Sequence, residues 1–237
     1  MIDSHTHLGR YPLFNVGMAS DQMIRLMDEY GIELCVVSSL PNSLTFEAVK
    51  EYPSRLAGLL WVDPKRGVEA AKDAEKAVRE WGFKGVKMHP LLDSFLPDDE
   101  LVNPVMEAAE RLQVPVLFHS GHPPWSLPWH FGNLADRFPD VKIILGHMGH
   151  GHIIYVNGAI EMALKHKNVY LETSGMPMHC KVKEAVEKVG VEKVLYGSDT
   201  PFGHPAFELA KLKVSGLTEE ELNQVIDSNA RRLFKLV

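Results

Sequence analysis

The stretch "VPVLFHSG" at residues 114–121 is apolar at nearly every position until it reaches His119. A strand with one wet face alternates apolar and polar residues, so a run without alternation reads as a strand buried on both faces. Working outward, "VKIILGHMG" (141–149) begins 27 residues later and has the same form ahead of His147. "NVYLETSG" (168–175) and "KVLYGSDTP" (193–201) continue the series toward the C-terminus. In the other direction lie "GFKGVKMHP" (82–90), "LAGLLWVD" (56–63), "IELCVVSSL" (32–40) and "MIDSH" (1–5).

Segments with helical periodicity separate these runs. "SDQMIRLMDEYG" opens on Ser20 as an N-cap, places Met23, Leu26, Met27 and Tyr30 on one face, and stops at Gly31. "KRGVEAAKDAEKAVREWG" carries a stripe of Val68, Ala71, Ala74, Ala77 and Val78 and stops at Gly82. "LPDDELVNPVMEAAERLQV" and "HCKVKEAVEKVG" behave alike, the latter ending at Gly190. The C-terminal "LTEEELNQVIDSNARRLFKLV" reads as two short helices, with Thr218 and Glu221 as a capping box. Eight strands alternating with helices imply a parallel sheet with right-handed crossovers. At 237 residues the pattern predicts an α/β fold, a (β/α)8 TIM barrel, as one domain over 1–237. A doubly wound open sheet is the alternative, but no G-x-G-x-x-G turn follows the first strand.

Charge and composition narrow the function. A formal charge of −6 with no long Lys/Arg run argues against nucleic acid or an anionic membrane as partner. Two cysteines, Cys35 and Cys180, are too few for a disulfide framework or a Cys-based zinc site and read as packed thiols. No apolar stretch approaches the roughly 18 residues of a membrane span. Residues 1–10 lack the order of a signal peptide, so the expected location is cytoplasmic. The expected partner is a small-molecule substrate, with a homo-oligomer left open.

The 12 histidines are not scattered. His5 and His7 end the first strand and His89 the fourth; His119 and His122 follow the fifth. His147, His150 and His152 follow the sixth, and His179 and His204 lie just beyond the seventh and eighth. Only His130 and His166 fall in helices. The C-terminal ends of the strands are the face that carries active sites in this fold. Residues i and i+2 of a strand point to the same side, so His5 and His7 can address one cation. His119, His147 and Asp199 come to the same height from other strands. Imidazole and carboxylate donors suit Zn2+, and Mn2+, Fe2+, Co2+ or Ni2+ use the same set; calcium and magnesium want more oxygens.

"DSHTH", "GFKGVKMHP", "HSG", "LGHMG" and "YGSDTP", each on its own strand, resemble the amidohydrolase superfamily. More narrowly they are similar to the amidohydrolase-related branch that includes aminocarboxymuconate-semialdehyde decarboxylase and similar single-metal enzymes. The closing "SNARRLFKL" fits the same branch. The resemblance implies a divalent metal, Zn2+ first, held by His5, His7, His119 and Asp199, with His147 as acid/base beside it. Asp199 would bind metal and also move a proton.

The leading expectation is a metal-dependent hydrolase that uses an activated water on an amide, ester or lactone bond. The alternative is a non-oxidative decarboxylase of a small unsaturated or aromatic acid. A barrel that binds metal without turnover is the third reading, disfavoured because His147 and Asp199 are both present. Lys87 shares a strand face with His89 and is a candidate for a carboxylated bridge between two metals, or for an ion pair with Glu172. Asp3 is placed on the face of His5 and His7. Candidate substrate contacts are His89, His122, His150, Trp125 and Arg10, with Trp129, Met148, His152, Met176 and Phe202 where further lining would be.

Overall fold

All eight unalternating runs become parallel strands of one sheet, hydrogen-bonded in sequence order. They are β1 (Ile2–His7), β2 (Leu34–Ser38), β3 (Leu56–Trp61), β4 (Gly85–Met88), β5 (Val116–His119), β6 (Ile143–Gly146), β7 (Val169–Glu172) and β8 (Val194–Leu195). This computed structural model describes residues 1–236. Helices α1 (Ser20–Tyr30), α2 (Asn42–Glu51), α3 (Val68–Glu80), α4 (Asn103–Leu112), α5 (Pro128–Arg137), α6 (Ile153–Lys165), α7 (His179–Val189) and α8 (Pro205–Lys213) follow the strands in turn. Two short C-terminal helices come last, α9 (Glu219–Asn223) and α10 (Asn229–Phe234). No helix among the described residues is long and apolar enough to cross a membrane.

The missing alternation has a direct cause. Leu59, Leu117, Ile144 and Leu195 fill the barrel interior, and α10 plugs its lower end with Leu233 and Phe234. Their neighbours Val86, Phe118, Ile143 and Leu171 face the other way, into the layer under the helices. Both faces are dry, so both are apolar. The ring closes where β8 is only two residues long. Backbone bonds from Ser4 N–H to Tyr196 O (3.1 Å), Asp199 N–H to His5 O (2.8 Å) and His7 N–H to Thr200 O (2.7 Å) join β1 to the segment after β8.

Several local expectations change. Helix α1 is capped at Ala19 rather than Ser20, whose hydroxyl reaches Glu51. A small antiparallel hairpin, Gly9–Tyr11 paired with Val16–Met18, stands over the mouth after β1. Cys35 is buried, but Cys180 is exposed and not packed. The ladder between β1 and β2 shifts register between Asp3 and Thr6. Ile2 belongs to the barrel interior, so strict alternation would turn Asp3 and His5 outward. The irregularity re-aims the later side chains, as bulges next to sites do. His5 reaches the mouth, while Asp3 stays beside Cys35 and Tyr196. The expected shared face is therefore corrected: Asp3 Oδ1 accepts from the backbone N–H of Ser198 (2.9 Å) and His5 (3.3 Å), not from an imidazole.

Candidate active site

A cavity of about 590 Å³ opens at the C-terminal ends of the strands. Its most buried lining residues are His5, His7, Lys87 and His147, with Asp199 beside them. Trp61, His89, His119 and His122 form one wall as a run of stacked rings, with successive centroids 5.5, 4.1 and 4.8 Å apart. Phe202 also lines the cavity, packed on His7 (5.6 Å) and on the hairpin's Tyr11 (4.6 Å) and Phe14 (5.1 Å).

Three imidazoles are held through Nδ1. His5 Nδ1 donates to Glu172 Oε2 (2.8 Å), His7 Nδ1 to Ser38 O (2.9 Å) and His147 Nδ1 to Ser174 O (3.0 Å). Each acceptor fixes the tautomer and leaves Nε2 as a bare lone pair. Glu172 is fully buried and also accepts from Ser174 Oγ (2.8 Å) and His147 N–H (3.2 Å), so it is a rigid anchor. A Cβ at residue 197 would lie 2.5 Å from Glu172 Oε1 and 2.8 Å from His5 Cβ, so the chain leaving β8 passes here only as Gly197. His147 (φ 67°) and Asp199 (φ 56°) sit in the left-handed region, strain of the kind found at functional sites.

The freed nitrogens converge. His5 Nε2 and His7 Nε2 are 3.2 Å apart, and Asp199 Oδ1 lies 3.2 Å from the second and 3.7 Å from the first. With both rings neutral, all three atoms are acceptors. The one hydrogen supplied among them comes from Lys87 Nζ, 2.8 Å from His5 Nε2. Acceptors brought this close without matching donors are a donor set for a cation, and two imidazoles with a carboxylate fit a divalent transition metal. His5, His147 and Glu172 form an overlapping group through the same His5.

Burial first, then the Lys87 ammonium, holds the His5 imidazolium well below its usual range. Burial brings His147 down to about 3 and His89 to about 2. It likewise lowers His119, His122 and His150. Burial also pulls Lys87 down to about 8, against the carboxylates of Asp199 and Glu172. For Asp199, burial works to raise the carboxyl, but the surrounding imidazoles of His147, His7 and His5 outweigh it and keep it ionised.

The structure thus brings His5, His7 and Asp199 together, with His147 adjoining. His119 stands apart from the tight group: its Nε2 is 2.7 Å from His122 Nδ1, and its ring centroid is 4.8 Å from that of His147. Lys87 pairs with His5 rather than Glu172. His89, His122, His150 and Phe202 line the cavity; Trp125 and Arg10 do not, and Arg10 is exposed on the hairpin. Met148 and Met176 are buried in the layer under the helices. Trp129 is exposed on α5, and His152 caps α6 by accepting from Ile154 N–H. Trp61 and Phe14 are contributors that motif reading passes over, and Glu172, expected beside Lys87, anchors His5 instead. Trp61 ends β3, so the strand-end rule applied to the histidines would have found it.

Known proteins share this architecture. The gamma-resorcylate decarboxylase of Polaromonas sp. is 26% identical over 91% of this chain and 87% of its own length. The 5-carboxyvanillate decarboxylase of Sphingomonas paucimobilis superposes with a TM-score of 0.79 at 19% identity, covering 100% and 99% of the two chains. A dihydroxybenzoic acid decarboxylase from Polaromonas sp., solved with manganese and 2-nitroresorcinol, gives 0.80 at 22%, covering 99% and 96%. These two structures speak for the fold. The amidohydrolase family model matches residues 2–236, which takes in every strand and the whole mouth, and the chain belongs to the amidohydrolase family.

Proposed function

We propose that this barrel is one catalytic domain: a metal-dependent, non-oxidative decarboxylase of a small aromatic carboxylic acid. The observation that carries the metal is the meeting of His5 Nε2, His7 Nε2 and Asp199 Oδ1 with too few hydrogens between them. The aromatic acid follows from the ring-lined walls and from relatives that are decarboxylases. The same two points rank decarboxylation above hydrolysis, the leading expectation from sequence.

A divalent cation bound there supplies Lewis-acid polarisation of the substrate oxygens. The chain does the rest. Trp61, His89 and Phe202 hold a flat ring and exclude water. The buried Lys87 ammonium faces the carboxylate end of the cavity. His147 Nε2, a bare lone pair because Nδ1 is tied to Ser174 O, would take up a proton only in passing and relay it to the ring carbon bearing the carboxylate. The C–C bond then breaks, its electron pair returns to the ring, and CO2 leaves; one proton is consumed per turnover. His119 would join His5, His7 and Asp199 in holding the cation if its Nε2 gave up His122. Zinc fits the imidazole donors, and manganese is tested beside it because the Polaromonas structure carries it.

The test is CO2 release from hydroxybenzoates by protein loaded with zinc or with manganese, run beside ester, lactone and amide cleavage. CO2 release that chelation abolishes supports the reading. Cleavage of an ester, lactone or amide with no CO2 from any acid overturns it in favour of hydrolysis.

A further inference from the structure

His150 occupies a backbone position that suits glycine. Its φ of 60° and ψ of −143° fall where a side chain is strained, although glycines stand on both sides of it in "MGHG". The fold makes room for it. Gly121 (φ +94°) could carry no Cβ, because that atom would lie 2.3 Å from Gly149 C and 2.7 Å from His150 Cβ. The strained backbone is held by the His150 N–H donating to His147 O at 2.6 Å. The ring so placed lines the cavity, 4.2 Å from His122 and 5.5 Å from His147 between centroids. Neither of its nitrogens makes a hydrogen bond among the described residues. His122 engages His119 through Nδ1 only, which leaves its Nε2 free.

We propose that His150, with His122, is a hydroxyl-recognition subsite that selects ring-hydroxylated aromatic acids over unhydroxylated ones. A neutral imidazole offers one donor and one acceptor, and a phenolic hydroxyl asks for the same pair. A second carboxylate has no match here. Among the described residues no arginine lines the cavity, and its lysine, Lys87, is engaged with His5. The strain at residue 150 is then the cost of aiming this ring at the substrate. The proposal rests on the aromatic-acid reading above.

The experiment measures binding by calorimetry on the metal-loaded full chain, with benzoate, the three monohydroxybenzoates and isophthalate as probes. Variants are His150→Gly, which accepts the backbone, and His150→Asn, which bears the same backbone strain as His150 and keeps an amide donor and acceptor. Wild type should bind its best hydroxybenzoate about tenfold or more tighter than benzoate. His150→Gly should bring that ratio close to one with a Tm no lower than wild type, and His150→Asn should restore part of it. An unchanged ratio in His150→Gly overturns the proposal, as does a loss in His150→Asn equal to that in His150→Gly. Tightest wild-type binding of isophthalate also overturns it. CO2 release is scored separately. Discrimination without CO2 leaves the subsite standing and removes the decarboxylase; CO2 with an unchanged ratio does the reverse.

Discussion

Three imidazoles at the mouth, His5 and His7 from β1 and His147 from the end of β6, are anchored to the scaffold: His5 to Glu172, His7 to Ser38 O, His147 to Ser174 O. The rings of His89, His119, His122 and His150, from the ends of β4, β5 and β6, lean mainly on one another. His89 stacks on His119, His119 pairs with His122, and His122 packs on His150. The first arrangement locks rotamer and tautomer and presents lone pairs at fixed points, which is what a metal requires. The second leaves hydrogen-bonding capacity uncommitted, which is what a substrate requires. Residue type is the same in both sets; the hydrogen-bond partners of the ring nitrogens differ.

This contrast makes graded predictions. His5→Ala or Asp199→Asn should take bound metal from about one equivalent per chain to almost none, and turnover down by roughly a thousandfold or more, the loss of several kcal/mol of charge stabilisation. Metal analysis beside activity checks this, and full retention of metal in both variants would mean that the donors lie elsewhere. Glu172→Gln keeps the shape but weakens the anchor on His5, and metal affinity measured by chelator competition should fall about 10- to 100-fold. An unchanged affinity would show that the anchoring is packing and nothing more.

Next in size is a pH effect on chelator-treated protein. Burial brings His147 down to about 3 and His89 to about 2 from an ordinary value near 6.5, and it holds His5 and His119 well below their ordinary range. The unfolded chain therefore binds more protons below pH 6.5, and stability must fall as pH drops from 6.5 toward 3. Asp3, raised by burial from 3.8 to about 7, acts with the opposite sign and is stabilising at low pH, an advantage lost as pH rises toward 7. Four imidazoles outweigh one carboxyl. The Tm should drop on the order of 10 °C between pH 6.5 and 4, and metal should suppress much of the drop by holding His5 and its neighbours unprotonated. A flat Tm profile would contradict the buried neutral state. The smallest effect is expected at Arg10→Ala and Trp125→Ala. Neither side chain lines the cavity, so KM should stay within about twofold; a larger change would place them in a closed form of the mouth.

Much of this was readable in the chain, for reasons that can be named. A buried parallel strand must be apolar on both faces, so the eight runs declared themselves. A parallel barrel puts all C-terminal strand ends on one face, so ending a run in histidine is already a statement about location. That logic put His5, His7, His119, His147 and Asp199 at the mouth, and all five line the cavity. It failed for Asp3, because a register shift in β1 undoes the two-residue period on which the shared face rested. Trp125 and Arg10 were out of reach too, since a loop or hairpin side chain has no period to say where it points.

The order of strands, the face of the site and the chemical character of its side chains belong to the linear pattern, because burial and chain direction impose them locally. What joins those side chains does not. The bond from His5 to Glu172 spans 167 residues, and the pairing of His119 with His122 depends on one choice of ring orientation. Such contacts exist only once the barrel has closed and packing has selected rotamers. For that reason the split of the histidines into an anchored set and an uncommitted set, with His150 strained into the second, belongs to the folded molecule alone.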